Sequence, residues 1–418
     1  MRLISQFSGP HSSLYGNLVE SLTPVFDDAE VDVLDRGERL KMQLRPTGYC
    51  AQVSAFSPTP EEGIQSIQIL PQDSISDSQL APEDVLISVR SAGLSWVDIL
   101  MTSALYQHRP ELPFTPGLEY SGVILAVGEA VDKPGLKPGS EVFTDCLGTG
   151  PRTRGKYGRF GGCASYAIAP QSAVHPKPAR LSFDQACNLA GTYETAYHCL
   201  VAVGGLKAGE TVLIHGASGS TGLAAVHLAK ALGATVIATG RCAQKLAVVE
   251  SQGADHVLPL EFDTHTGTLL PFRSAVKAFT DGRGVDVVYD GVGGPISEES
   301  LRAMAFGGRF VVVGWASTPM VSRGAHGPQP NQLPTNLILM KGIQVLGAPM
   351  VIATQKDPSI RHERWSTILH FASTGAITPH VSHTFPLDLI QDALWAKWRG
   401  EIVGGCAIHL PSLIHPDP

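Results

Sequence analysis

Two short apolar runs, Thr211–His215 and Ala234–Thr239, flank the segment Gly216-Ala217-Ser218-Gly219-Ser220-Thr221-Gly222 and an Ala/Leu-rich stretch behind it. Strand, glycine loop, helix and strand, in that order, make a dinucleotide-binding βαβ unit. Gly219 lets the backbone approach a pyrophosphate, and Gly222 lets the helix lie close to the strand. The helix start at Thr221–Leu223 offers N–H groups and the positive end of a helix dipole to phosphate. The glycine spacing alone is a weak signal, and its place between two strands makes it a strong one. The second strand ends in Thr239-Gly240-Arg241, with Lys245 shortly after. An NAD-preferring site carries Asp or Glu here to accept from the ribose 2′-OH. A carboxylate would repel a 2′-phosphate, whereas Gly240 makes room and Arg241 and Lys245 neutralise it. The residues therefore point to NADPH. The alternative is that the two cations are solvated surface charges.

These elements sit in a chain of 418 residues, 43% of them hydrophobic, enough for two domains. Mean hydropathy is +0.08, and Lys341 interrupts the longest apolar stretch, Leu337–Thr354, so no membrane span is expected. The net charge is −7 without a Lys/Arg cluster, which gives neither nucleic acid nor acidic lipid electrostatic support. The seven cysteines show no Cys-x-x-Cys spacing, so neither a zinc knuckle nor a redox pair is signalled. The first residues lack the apolar core of a signal peptide, and acidic residues from Asp27 onward do not suit a transit peptide. A cytosolic protein is expected.

Residues 1–48 are rich in Ser, Pro and acid and read as an extension, either loosely ordered or packed on the core as an extra strand; Arg39–Leu44 is the candidate strand. Residues 49–177 read as short strands and turns, a small barrel. Strands are expected at Ile64–Leu70, Asp84–Arg90, Gly122–Val127 and after Pro138, with one helix at Ser95–Ser103. Residues 178–346 alternate strand and helix, which argues for a parallel sheet covered on both faces. Strands are expected at 211–215, 235–239, 286–290, 309–313 and 343–346, and helices at 183–203, 221–232 and 243–252. Residues 347–418 are mixed, with helices at Trp365–Thr374 and Leu387–Arg399 and a last strand near Cys406–Leu410; they are expected to complete the first domain. Gly150–Gly162 and Ser322–Pro334 read as exposed loops.

Further segments occur in a telling order: Ser91-Ala-Gly-Leu-Ser-Trp-Val-Asp98, Leu105-Tyr106, Leu112-Pro-Phe-Thr-Pro-Gly-Leu-Glu-Tyr-Ser-Gly122 and Pro138-Gly-Ser-Glu-Val142. Thr195-Ala-Tyr precedes the glycine loop, and Val285-Asp-Val-Val-Tyr-Asp290, Gly307–Gly314 and Gly400-Glu-Ile-Val403 follow it. Over about residues 50–410 the chain resembles the medium-chain dehydrogenase/reductase superfamily, in its zinc-independent, quinone oxidoreductase-like branch. The resemblance implies an α/β fold: a GroES-like β-barrel catalytic domain and a Rossmann doubly wound parallel sheet for the cofactor. It places Ser95 and Leu118 where zinc-dependent members carry Cys and His ligands, so a catalytic zinc has no adequate shell. Glu119 then reads as structural, paired within the barrel.

Without a Lewis acid, the resemblance favours acceptors electrophilic by conjugation: quinones, enones and enoyl thioesters. Charge developing on oxygen would be met by hydrogen-bond donors. Tyr106 stands where related enoyl thioester reductases carry a tyrosine proposed to act at the substrate; the alternative is packing at the cleft wall. Ser95 stands where quinone reductases often carry Asn. The same match places Thr195 beside the nicotinamide, the Ala217–Gly222 loop at the diphosphate, and Gly240, Arg241 and Lys245 at the 2′-phosphate. Val292 and Gly314 fall at later strand ends, where open α/β sheets meet ligands. His215 reads as a strand residue satisfied by the backbone, and His198 as packing.

The expected function is an NADPH-dependent reductase of a quinone or α,β-unsaturated carbonyl, with no metal. An enoyl-CoA or carrier thioester reductase is the enzyme alternative, for which Arg152, Arg154, Lys156 and Arg159 could supply a basic patch. A crystallin-like NADPH-binding protein without turnover is the other. The resemblance also implies a homodimer, paired through the sheet edge near Ile343–Leu346.

Overall fold

In the computed structural model, which describes residues 45–317 and 332–411, two sheets carry most of the chain. The expected strand at Arg39–Leu44 and all but the end of the Ser322–Pro334 loop lie outside these residues. Strand β1 (Gly48–Gln52) is followed by helix α1 (Pro60–Gln65) and strand β2 (Gln68–Gln72), which pairs antiparallel with β1. Of the strand expected at Ile64–Leu70, only Gln68–Leu70 are strand, while Ile64 and Gln65 end α1. Thr59 caps α1 by accepting from the Glu62 N–H, Pro60 fits the first helical position, and Glu61 and Glu62 favour the first turn. That start signal outweighs the alternation read beyond it.

The barrel continues through β3 (Asp84–Gly93), α2 (Trp96–Thr102), β4 (Glu119–Val127), β5 (Glu141–Thr144), β6 (Tyr166–Pro170) and β7 (Val174–Pro176). Along β3, Val85, Ile87 and Val89 enter the barrel core while Leu86 joins a separate cluster with Tyr166 and Ile168, as strand alternation requires.

The helix expected over 183–203 is broken into α3 (Phe183–Ala186), α4 (Ala190–Tyr197) and a π-helical continuation, His198–Val203. At the break, the Asn188 amide donates back to the Asp184 carbonyl and across to the Cys406 carbonyl. The cofactor sheet follows: β8 (Thr211–Ile214), α5 (Ser220–Ala231), β9 (Thr235–Gly240), α6 (Ala243–Ser251), β10 (His256–Pro259), α7 (Arg273–Ala278), β11 (Val285–Asp290), α8 (Pro295–Ala303), β12 (Met304–Val312), α9 (Thr335–Lys341) and β13 (Gln344–Gly347). Its strands are all parallel in the order β10-β9-β8-β11-β12-β13, a Rossmann doubly wound sheet with β13 at one edge. Both faces are covered. Val212 and Ile214 of β8 face one core and Leu213 the other, and Val236 and Ala238 oppose Ile237 in the same way. β10 and helices α7–α9 were not anticipated from the sequence.

The rest of the chain supplies α10 (Met350–Lys356), α11 (Arg361–Thr374), β14 (Val381–Pro386), α12 (Ile390–Trp398) and β15 (Gly405–His409). β15 returns to the barrel sheet and pairs with both β14 and β3, giving the order β14-β15-β3-β4-β5-β7 with β6 also on β3. The fold is therefore a GroES-like barrel combined with a Rossmann sheet.

A buried charge cluster joins α4, α11 and the end of β5. Arg361 forks onto Glu194 through two 2.9 Å hydrogen bonds and approaches Asp145 at 3.2 Å. Beside it, buried Arg364 donates to His198 Nδ1 (2.7 Å) and to Thr354 (3.0 Å). Burial, helped by the Arg364 charge, pushes the His198 imidazole down to about 4, so it stays neutral as an acceptor.

Candidate active site

The glycine loop turns at Gly216, whose φ of +62° lies in the left-handed region, and Gly219 caps the start of α5. A Cβ on Gly222 would lie 2.3 Å from the Gly216 carbonyl oxygen and 2.8 Å from the Ala217 Cα, so only glycine lets α5 approach the loop. No side chain caps α5, which leaves its leading N–H groups for an anion. Ala217 is wholly buried and its amide donates to the Thr239 carbonyl (3.1 Å), so it shapes the loop from beneath. A segment from beyond α12 clasps the loop: the Gly404 amide donates to the Ser218 carbonyl (2.9 Å), and the Ser220 hydroxyl donates to the Gly404 carbonyl (2.7 Å). Thr221 lies half-buried on the first turn of α5.

At the end of β9, a Cβ on Gly240 would meet Leu246 at 3.3 Å. Arg241 is exposed and Lys245 half-buried on the first turn of α6, and among the described residues neither forms an ion pair. At the end of β11, buried Asp290 accepts the amides of Val292 and Gly293 (2.9 Å each) and the Ser297 hydroxyl. The Asp290 carbonyl accepts the Gly314 amide (3.2 Å), so the Val292 and Gly314 turns are tied together. His215, beneath them, is satisfied by side chains rather than by the backbone: Nδ1 meets Thr239 Oγ1 at 2.7 Å and Nε2 meets Ser300 Oγ at 2.6 Å.

A cleft of about 560 Å³ opens between the barrel segment 103–109 and Trp315, the residue after Gly314. Tyr106, Leu105, Gln107 and Arg109 line it opposite Trp315. Ala104, just before them, holds a left-handed φ of +52°, an uncommon conformation for a residue with a Cβ. Tyr106 is half-buried, and Arg152 Nη2 donates to its hydroxyl oxygen at 3.2 Å. Arg152 Nη1 donates to Cys146 Sγ at 3.1 Å. Burial pushes the Cys146 thiol up to about 12, so it stays protonated at neutral pH. Glu119 is also buried, and burial pushes its carboxyl up to about 8, against the Gly191 amide it accepts (2.9 Å) and the Arg152 charge. Glu119 thus reaches across to α4 rather than pairing within the barrel. A Cβ on Gly191 would strike both Glu119 Oε1 and Cys146 Sγ.

Thr195, on the same helix, donates back to the Gly191 carbonyl (2.6 Å). Ser95 caps α2 in a box with Asp98: its hydroxyl donates to Asp98 Oδ2 (2.8 Å), whose other oxygen accepts the Gly117 amide (2.8 Å). Leu118 is buried in the barrel core. Among the described residues, no three His, Cys, Asp or Glu side chains converge where a metal ion could sit.

The loop cations that could have supplied a basic patch are dispersed. Arg152 turns inward, Lys156 pairs with Asp84 (2.8 Å), Arg159 lies over Phe160, and Arg154 is exposed. The sequence reading did not single out Cys146, Gly191, Trp315 or Gly404, nor the contact between Arg152 and Tyr106. These join the site through contacts distant in sequence, and glycine-rich spacing gives no sign of which loop residue turns inward.

Two family models match the chain: the alcohol dehydrogenase GroES-like domain over residues 81–179 and the zinc-binding dehydrogenase over residues 220–372. A quinone oxidoreductase-like protein 2 homolog from Nematostella vectensis is 33% identical over 79% of this chain and 84% of its own length. Human quinone oxidoreductase is 29% identical over 75% of this chain and 85% of its own. A solved probable oxidoreductase from Mycobacterium abscessus superposes with a TM-score of 0.70 at 27% identity, covering 87% of this chain and 99% of that one. With sequence, domain order and architecture in agreement, the chain belongs to the quinone oxidoreductase-like branch of the medium-chain dehydrogenase/reductase superfamily and is an oxidoreductase.

Proposed function

We propose that the protein is an NADPH-dependent reductase that delivers hydride to a quinone or α,β-unsaturated carbonyl without a metal. The observation that carries this reading is Tyr106 in the wall of the cleft, facing Trp315 from the cofactor sheet. The α5 amides behind Gly219 would hold the diphosphate, and Gly240, Arg241 and Lys245 the 2′-phosphate. Thr195, Val292 and Gly314 would border the nicotinamide half. When bound, the nicotinamide supplies the hydride. The residue types at Ser95 and Leu118 provide no soft metal ligand, so polarising the acceptor falls to hydrogen-bond donors, with Tyr106 first among them.

The test is NADPH and NADH consumption with 1,4-benzoquinone, 2-cyclohexenone and a trans-2-enoyl-CoA. We expect turnover with quinone or enone and a preference for NADPH. Arg241→Ala should raise the NADPH KM about tenfold, since a charge-assisted contact is worth roughly 1.5 kcal/mol or more, and leave the NADH KM unchanged. A wild type that prefers NADH would sink the 2′-phosphate assignment. Turnover confined to the enoyl-CoA would favour the second reading, which exposed Arg109 at the cleft and exposed Arg154 support.

A homodimer is also proposed. Among the described residues β13 is an unpaired sheet edge, and beside it Phe306 (84% exposed), Leu339 (79%) and Met340 (74%) present exposed apolar side chains that a partner could cover. Sedimentation velocity should show a dimer, and Val345→Lys with Leu339→Lys should yield monomers. A wild type that sediments as a monomer at micromolar concentration rejects this.

A further inference from the structure

Beyond that reading, and resting on it, we propose that Arg152 is the positioning residue that orients Tyr106. The guanidinium has only donors to offer, so in the 3.2 Å contact with Arg152 Nη2 the phenol oxygen must be the acceptor. Its one proton then points away from Arg152, toward the cleft that Tyr106 lines. The guanidinium carbon also lies 5.4 Å from the ring centroid, which restrains the ring itself.

Arg152 is fixed from behind. Its second terminal nitrogen is on Cys146 Sγ (3.1 Å), at the end of β5. Among the described residues Glu119 Oε2 and Arg152 Nε have no hydrogen-bond partner of their own. A planar fork can reach the thiol and the phenol together, whereas a lysine ammonium is a single point charge on a flexible stem. A cation behind the phenol also strengthens the hydrogen bond it gives to an oxygen gaining negative charge. The arrangement turns a wall tyrosine into a donor with a set direction.

The test is a double-mutant cycle of Arg152→Met and Tyr106→Phe with Arg152→Lys alongside, each checked for folding by circular dichroism. One readout is kcat for 2-cyclohexenone. The other, independent of turnover, is the Kd for 4-nitrophenolate, a stable conjugated oxyanion, in the presence of NADP⁺. Each single variant should lower kcat by about 100-fold, the lower end of the scale of losing one oxyanion donor, and leave the NADPH KM within about twofold. The double variant should match Tyr106→Phe alone in both readouts, and Arg152→Lys should fall between Arg152→Met and wild type. Additive losses, an Arg152→Met enzyme that behaves as wild type, or a wild type that does not bind the phenolate would each overturn the proposal. Should Arg152→Met fail to fold, Arg152→Lys carries the cycle. If the wild type reduces no acceptor but the phenolate cycle is non-additive, the reductase reading falls and the positioning role stands. If turnover is present and the cycle is additive, the reverse holds.

Discussion

Gly222→Ala should weaken nucleotide binding about a hundredfold. One added methyl would sit 2.3 Å from the Gly216 carbonyl oxygen and 2.8 Å from the Ala217 Cα. Both are backbone atoms and cannot swing aside as a flexible side chain would. Overpacking of this kind costs roughly 1–3 kcal/mol, and two rigid contacts place it at the upper end. The helix relieves the clash by withdrawing from the loop, and with it go the amides that would face the diphosphate. Because the loop is also clasped by Gly404, it cannot follow the helix without breaking those hydrogen bonds. About 3 kcal/mol corresponds to about a hundredfold in Kd. Isothermal titration with NADPH measures it, and an affinity within threefold of wild type would show that the loop yields where we describe it as rigid. Gly240→Ala should be milder, because Leu246, the neighbour it meets, is a side chain.

Arg361→Ala should lower the apparent Tm by about 5–10 °C. Glu194 is 1% exposed and depends on Arg361 for two hydrogen bonds. Removing one partner of a buried charge pair costs about 3–5 kcal/mol; for a protein of this size each kcal/mol moves Tm by roughly 2–4 °C, and the lower end applies because Arg361 is partly solvated and Arg364 Nη1 stays 3.6 Å from Glu194 as a counter-charge. The loss should depend on pH. Burial pushes the Asp145 carboxyl up, but His175 at 3.5 Å and the Arg361 charge outweigh it and hold the carboxyl below its ordinary value. A depressed carboxyl stabilises the fold above its unfolded-state pKa, and that stability is lost as pH falls through the folded value. The Tm gap between wild type and Arg361→Ala should therefore be full at neutral pH and narrow below about pH 4. A gap constant from pH 7 to pH 3.5 would mean that Arg361 acts through packing alone.

The cofactor sheet was legible because its signals are local. β8, the glycine turn, α5 and β9 are contiguous, and each apolar run has the length and boundaries of a strand. β10 escaped notice because His256–Pro259 is short and half-exposed. The 183–203 helix was read as continuous because nothing local marks Asn188 as a break; its partner, the Cys406 carbonyl, is distant in sequence. The candidate site was legible only where a motif carries it. Tyr106, Gly240 and the glycine loop could be named in advance. From sequence Arg152 is only one of four cations on an exposed loop that could supply a basic patch, since a loop of Gly and Arg gives no hint that one guanidinium finds a thiol and a phenol inside. Ser95 was recognised by its position, yet its hydroxyl serves the Asp98 cap.

The return of β15 into the barrel bears on how the protein is made. β6 pairs with Asp84–Ser88 of β3, but Ser91–Gly93 pair with Ala407–His409, so on a translating ribosome that end of β3 waits while the entire cofactor sheet is synthesised. Over that interval this short strand edge stays open to pairing with other nascent chains. The cofactor sheet takes all its strands from Thr211–Gly347 and can pair them first, although Trp365, Ile368 and Ala372 of α11 later complete the core on one of its faces. Its glycine loop then awaits the clasp from Gly404, which arrives with the strand that seals the barrel. Chaperone dependence during expression should therefore track mutations in β3 and β15 more closely than mutations in the nucleotide loop.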